Sequence, residues 1–183
     1  MWWIIPLIII AVVAVWFIGT YNGFIQLENK VEEAFSTMDV YLVKRYGLIP
    51  NLVETVKGYA KYEAETLEEV IKARNTAIGA ITPSEKIESE NQLSNVLTKF
   101  MALSESYPDL KANTNYIDLQ KQLQAMENEI ANTRKHYNSV VKQLNTKVES
   151  IPSNIVASIC KFEKQPLFEI KDAIQRENVK IQL

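Results

Sequence analysis

The chain opens on an unbroken apolar run and only afterwards begins to alternate. Trp2 and Trp3 lead into residues 4–18, where Pro6 is the one interruption, and the first charged side chain is Glu28. A helix rises about 1.5 Å per residue and a hydrocarbon core is about 30 Å thick, so the stretch from Trp2 to Ile18, extended by Phe24 and Ile25, is long enough to span. Trp2, Trp3, Trp16 and Tyr21 stand near its two ends, with Pro6 early in the run and Phe17 and Ile18 closing it. Amphipathic rings favour the headgroup level at such ends. A cleaved signal peptide would need a basic leader and a small-x-small cleavage site. Ala11 and Ala14 lie inside the run instead, followed by bulky Trp16-Phe17-Ile18, and a buried core helix would have to cover two terminal tryptophans. An uncleaved anchor is therefore expected.

Beyond the run, apolar residues recur at steps of three and four, the helical period. Phe24, Leu27, Val31, Ala34, Met38 and Leu42 carry the first helix out of the membrane without a linker, which predicts a stalk continuous from Trp2 to Arg45. Gly47-Leu48-Ile49-Pro50 is read as the first break, with Gly47 as C-cap and Pro50 in the first turn of the next helix. A second helix is expected from Asn51 to Ala80 on the stripe Leu52, Val56, Tyr59, Glu63, Leu67, Val70, Arg74 and Ala77, where Glu63 and Arg74 must find partners or reach solvent. Thr82-Pro83-Ser84-Glu85 has the form of a capping box and starts a third helix carrying Ile87, Leu93, Val96, Leu97, Phe100 and Leu103.

Tyr107-Pro108-Asp109 breaks that helix, and Asn113 or Thr114 caps the next. The stripe Tyr116, Leu119, Leu123, Met126, Ile130, Thr133, Tyr137, Val140, Leu144, Val148 and Ile151 is heptad-like and predicts a coiled-coil-type helix of about 35 residues, ended by Pro152. Ile155, Val156 and Ile159 suit a short helix capped by Ser153 or Asn154 and ended by Pro166, while Phe168 to Leu183 is mixed and packs on the body or frays. No alternating strand pattern competes. The expected fold is all-α, an N-terminal transmembrane helix continuing into an up-and-down antiparallel four-helix bundle. The expected division is residues 1–27 for the anchor and membrane edge and 28–183 for one helical domain.

Charge alters the picture in one respect. The 20 basic and 22 acidic side chains all follow the apolar run and nearly cancel, which argues against a nucleic-acid footprint or a polybasic lipid patch. Lys30, Lys44 and Arg45 follow the span and no Lys or Arg precedes it, favouring an outside amino terminus and a cytoplasmic body. A single cysteine, Cys160, precludes a disulfide within one chain.

The segment Lys44-Arg45-Tyr46-Gly47-Leu48-Ile49-Pro50-Asn51-Leu52-Val53-Glu54-Thr55-Val56-Lys57-Gly58-Tyr59-Ala60 resembles the LemA family of bacterial membrane proteins. Tyr21-Asn22, Val31-Glu32-Glu33-Ala34-Phe35, Glu63-Ala64-Glu65-Thr66-Leu67, Tyr107-Pro108-Asp109-Leu110-Lys111-Ala112-Asn113, Tyr137-Asn138 and Pro152-Ser153-Asn154 extend the resemblance over nearly the whole chain. It implies a single span followed by an antiparallel helical domain, with the amino terminus outside. It also implies kinship with magnetosome proteins and gene neighbourhoods that include a membrane metalloprotease. The family brings no catalytic residues to carry over. Gly47 departs from the resemblance, standing where many relatives have a residue such as Asp.

Candidate chemistry is sparse. Glu63, Glu65, Glu68 and Glu69 form an acidic cluster, but a di-metal bundle needs Glu-x-x-His pairs, and the one histidine, His136, follows Thr133 at that spacing. A solvated face with Glu65–Lys61 and Glu68–Lys72 pairs is expected, and an exposed His136. Cys160 lies in an apolar run and reads as a small core residue. No cofactor or metal is expected. Arg45, Asn51, Glu54, Arg134 and Asn138 sit in or beside the family-like motifs, near apolar stripes. They suit a polar network that fixes helix register; the competing reading is a partner site at the break between the first two helices. The functional expectation is a non-enzymatic, self-associating helical scaffold of the bacterial cell membrane, with the lipid bilayer and further copies as partners. The alternative is an adaptor or regulator of a membrane metalloprotease or sensor. Because span and first stripe share one phase, inserting three Gly residues after Thr20 is expected to preserve membrane attachment but reduce assembly, read by membrane flotation and by crosslinking between copies.

Overall fold

The computed structural model describes residues 3–60 and 62–169. Those residues form six helices, α1 (Ile4–Lys57), α2 (Ala64–Gly79), α3 (Pro83–Ser104), α4 (Pro108–Lys111), α5 (Thr114–Glu149) and α6 (Ser153–Cys160), and contain no strand. The chain is all-helical with one long apolar amino-terminal helix, as its periodicity predicts. Trp2, Lys61 and most of the expected tail (170–183) lie outside the described residues. Two compact units are present, one comprising the chain up to Met38 with Asn132–Leu167, the other Asp39–Ala131 with the segment from Phe168. α1 and α5 each contribute to both units, and the expected boundary at 27/28 falls inside α1.

In the first unit the stripe of α1 is buried at Phe24, Val31, Ala34 and Met38, and that of α5 at Tyr137, Val140 and Leu144. α6 buries Val156 and Ala157 and ends where Lys161 turns left-handed (φ 59°), with the Lys161 N–H returning to the Ala157 carbonyl. Residues 162–167, which follow it, have no regular structure but are strapped down. The Asn145 side-chain amide donates to Gln165 O (2.9 Å) and accepts from Gln165 N–H (2.8 Å), and the Tyr137 hydroxyl donates to Pro166 O (3.0 Å). Phe162 stacks on Phe24 with centroids 4.6 Å apart. Toward the amino end this cover stops. Every residue from 3 to 16 is exposed, and α1 is long and apolar enough there to cross a membrane.

In the second unit α2 packs on α3, and Leu52 and Val56 of α1, Leu67 and Val70 of α2, Leu93 and Phe100 of α3 and Leu123 of α5 are buried. The capping box forms as expected. Thr82 Oγ1 accepts from Glu85 N–H (3.2 Å) while Glu85 Oε2 accepts from Thr82 N–H (3.0 Å). The hydrogen bonds from Thr82 hold the Glu85 carboxyl below the usual glutamate range. Asn113 Oδ1 accepts from Tyr116 N–H (3.0 Å), the expected cap of α5.

Three expectations are corrected. Gly47–Pro50 does not break the helix: α1 runs to Lys57, and α2 begins only at Ala64, not at Asn51. Pro50 has no N–H to return to Tyr46 O, four residues earlier, and that carbonyl is instead taken by Arg74 Nε of α2 at 2.7 Å. A cross-helix donor replaces the missing one, which is also why a charged residue occupies the α2 stripe. Second, Ser153 and Asn154 do not cap α6; Pro152 occupies the N-cap, and Ser153 Oγ donates to Lys147 O (2.6 Å) instead. Third, the α5 stripe ends before Ile151, which is 84% exposed, and Cys160 is half-buried rather than core.

Arg74→Ala should cost about 1–3 kcal/mol by leaving the Tyr46 carbonyl unsatisfied. In a Pro50→Ala background the cost should shrink, because the helix regains its own donor. Urea unfolding of the four proteins of this double-mutant cycle, in detergent, measures the coupling.

Candidate functional site

The polar centre of the second unit grows from one buried charge. Arg45 lies one turn past Leu42 and one before Ile49, both fully buried, so helical spacing carries its guanidinium inward, and its exposure is 0%. Its Nη2 is ion-paired with Glu90 of α3, itself fully buried. Nη1 reaches Glu127 Oε1 of α5 at 2.6 Å and donates to Ser94 Oγ of α3 at 3.3 Å. Tyr46 donates its hydroxyl to the other Glu90 oxygen. Burial first, and then the charge of Glu90, push the Tyr46 hydroxyl far above the ordinary tyrosine range, so it stays protonated as a donor.

A second cation stands beside this cluster. Lys86 of α3 is buried, donates to Ala77 O near the carboxy end of α2 (2.9 Å), approaches Asp39 Oδ1 (3.9 Å) and lies over the Tyr46 ring at 5.5 Å. A lysine suits the partial negative charge at a helix carboxy terminus. Arg45, Glu90, Glu127, Tyr46, Lys86 and Arg74 thus tie segments of α1, α2, α3 and α5 together. Glu127 is the edge of the cluster. Its side chain is 33% exposed and helps line a cleft of ≈ 360 Å³ between α3 and α5, together with Ser94, Leu97, Thr98, Met101 and Gln124.

Of the residues singled out from sequence, Arg45 is at the centre of this network. Asn51 and Glu54 are not in it; both are exposed on α1, because a continuous helix places them on its outer face. No break lies after Gly47, where the competing reading placed a partner site, because α1 is continuous there. Arg134 and Asn138 are half-buried and belong to the first unit. Glu63, expected to need a partner, accepts from the Tyr107 hydroxyl (3.2 Å). Glu65, Glu68 and Glu69 are exposed along α2, and so is His136 on α5. Sequence reasoning passed over Glu90, Tyr46 and Lys86. Glu90 was recoverable, because it stands three residues past Ile87 and three before Leu93 on the α3 stripe. Among the described residues, no group of three or more His, Cys, Asp or Glu side chains is arranged to hold a metal ion.

What this arrangement does chemically is hold opposite charges out of water. The class it defines is an all-helical protein led by one long apolar helix, with a buried ion-pair network at the centre of its second unit. The chain belongs to the LemA family, whose match covers residues 34–183. It is similar to Protein LemA of Metamycoplasma hominis, 23% identical over 164 residues, covering 89% of this chain and 74% of that protein. It is also similar to Magnetosome protein MamQ 2 of Paramagnetospirillum magneticum (25% identity) and Magnetosome protein MamQ of Magnetospirillum gryphiswaldense (22%), in each case over 84% of this chain and 66% of the relative. None of these names is an enzyme's.

Removing one partner of a buried ion pair strands the other, so Arg45→Ala should destabilise the protein by about 3–5 kcal/mol, measured by thermal or urea unfolding in detergent. Asn51→Ala and Glu54→Ala, on the exposed face, should stay within about 0.5 kcal/mol of the parent. Unchanged stability of Arg45→Ala combined with lost partner binding would overturn the structural reading of the cluster.

Proposed function

We propose that this chain is a non-enzymatic, single-pass scaffold of the bacterial cell membrane, with α1 crossing the bilayer and a cytoplasmic body built as an antiparallel helical bundle. The observation that carries the proposal is the uncovered amino-terminal part of α1, where residues 3–16 are exposed on every face. A helix that is apolar all round is stable only when buried, in protein or in lipid. Its backbone bonds are all internal, which is the requirement for crossing hydrocarbon. Exposed Lys30 and Lys44 on the carboxy side support a cytoplasmic body.

Self-association of copies is the second part of the proposal. Val40, Val43, Gly47, Asn51 and Glu54 recur at steps of three and four along α1 and are all exposed, with Val40 54% and Val43 57% accessible. Such spacing forms one face of a helix. A face mixing valines, a glycine and two polar side chains suits helix-to-helix contact between copies. The same face supports the alternative, an adaptor that receives a membrane metalloprotease or sensor, through its polar members Asn51 and Glu54.

Light scattering of the full chain in detergent should report an oligomer, and Val43→Asp should lower the mass while leaving helicity by circular dichroism unchanged. A strict monomer across concentrations would sink self-association. Crosslinking in cells separates the alternative: copies crosslinked to one another favour the scaffold, a reproducible protease partner the adaptor.

A further inference from the structure

The first unit carries a second apolar surface, on α6. α6 buries Val156 and Ala157, yet Ile155 and Ile159, one turn apart, are 55% and 65% exposed. Ile151, which precedes the helix, is also exposed, at 84%. Exposed Lys161 closes the helix at the end of this stripe. A short helix that is apolar outward as well as inward has a cost in water that a lone exposed isoleucine does not.

The position of α6 along α1 indicates what covers it. Phe162, two residues beyond the helix, stacks on Phe24 (4.6 Å) and lies 5.6 Å from the Tyr21 ring. Lys147 Nζ sits 4.7 Å above the same Phe24 ring, and loss of water there lowers its pKa. An added Cβ at Gly23 would lie 2.1 Å from that Lys147 nitrogen, so α5 also approaches closely at this level. The carboxy end of α6 is thus held at the turn of α1 that contains Tyr21 and Phe24.

Length then sets depth. Crossing the hydrocarbon takes about 20 helical residues. Counted from Ile4, that distance ends near Gly23. Residues 3–16 are all exposed, but Phe17 and Thr20 are half-buried and Phe24 is buried, so one face of α1 is covered from Phe17 on while Ile18, Gly19, Tyr21 and Asn22 stay exposed. The length of α1 needed to cross therefore includes turns that this unit itself clothes, so the clothing stands at the membrane boundary.

We infer that α6 is an interfacial helix. Its Ile155 and Ile159 stripe lies in the headgroup and acyl boundary of the bilayer that α1 crosses, and Lys161 reaches the lipid phosphates. Apolar burial combined with a nearby cation is the pattern by which short helices lie on membranes. The inference rests on the reading of α1 as a span and goes beyond it, giving the membrane surface a second contact with the folded unit.

The test uses the full chain in lipid vesicles, with Cys160→Ser removing the native thiol and an environment-sensitive fluorophore placed in turn at Ile155→Cys, Ile159→Cys, Val12→Cys and Lys135→Cys. The expected result is blue-shifted emission at 155 and 159, quenched by lipids brominated near the headgroup. Position 12 should be quenched by deeply brominated lipids, and position 135, several turns further along α5, by neither. Water-like emission at 155 and 159 with position 12 quenched would overturn the inference and leave the span standing. Loss of quenching at position 12 would overturn the span reading and the inference with it. Blue-shifted emission at 155 and 159 without bromine quenching would mean that another copy covers the stripe, and would also overturn the inference.

Discussion

A guanidinium with no exposure to water must be answered by carboxylates, and the second unit is organised around that requirement. Arg45 draws Glu90 from α3 and Glu127 from α5, and Glu90 in turn takes the hydroxyl of Tyr46. Such a network adds little net stability compared with apolar packing of the same volume. What it adds is intolerance of error: a slip of one residue along any of these helices would strand a charge in a low-dielectric interior. Helices bearing only apolar stripes lack this constraint, since a stripe can slide by a turn and still find apolar neighbours. Arg74 extends the same logic to the backbone, supplying the donor that Pro50 withholds.

The first unit answers a different constraint, the boundary between covered and uncovered helix. Phe162, held by the strap along α5, clothes α1 at Tyr21 and Phe24, and protein cover has gone before residue 16. The apolar surface beyond that edge is compatible with water only if lipid or protein replaces it. Membership of the LemA family fits a chain with this division of labour. The family match begins at residue 34, so the apolar run carries its argument on its own physical character.

Much of this was legible in the residues. The stripe from Phe24 to Leu42 is buried almost throughout, the Thr82 capping box is formed, and the break at Tyr107–Pro108 is real because the chain leaves α3 there and resumes in α4. Pro50 misled because local rules treat proline as a boundary, whereas a donor from a distant helix can repair what proline removes. Ile151 misled in the opposite direction: its spacing placed it on a buried stripe, but α5 ends at Glu149 and leaves it exposed. Glu90 escaped notice since a carboxylate on an apolar stripe looks like an exception until its arginine, far off in sequence, is identified.

By itself the sequence determined the all-helical character, the apolar amino-terminal run and the phase of each buried stripe, because these depend on hydrophobic period and local capping, properties of residues a few positions apart. Only the tertiary structure decided that α1 continues through Pro50, that Arg45 pairs with Glu90 and Glu127, and that α6 shows two isoleucines to its surroundings. Those outcomes turn on contacts between residues distant in sequence, where a polar group is stable inside only if its partner arrives. No local pattern records that arrival.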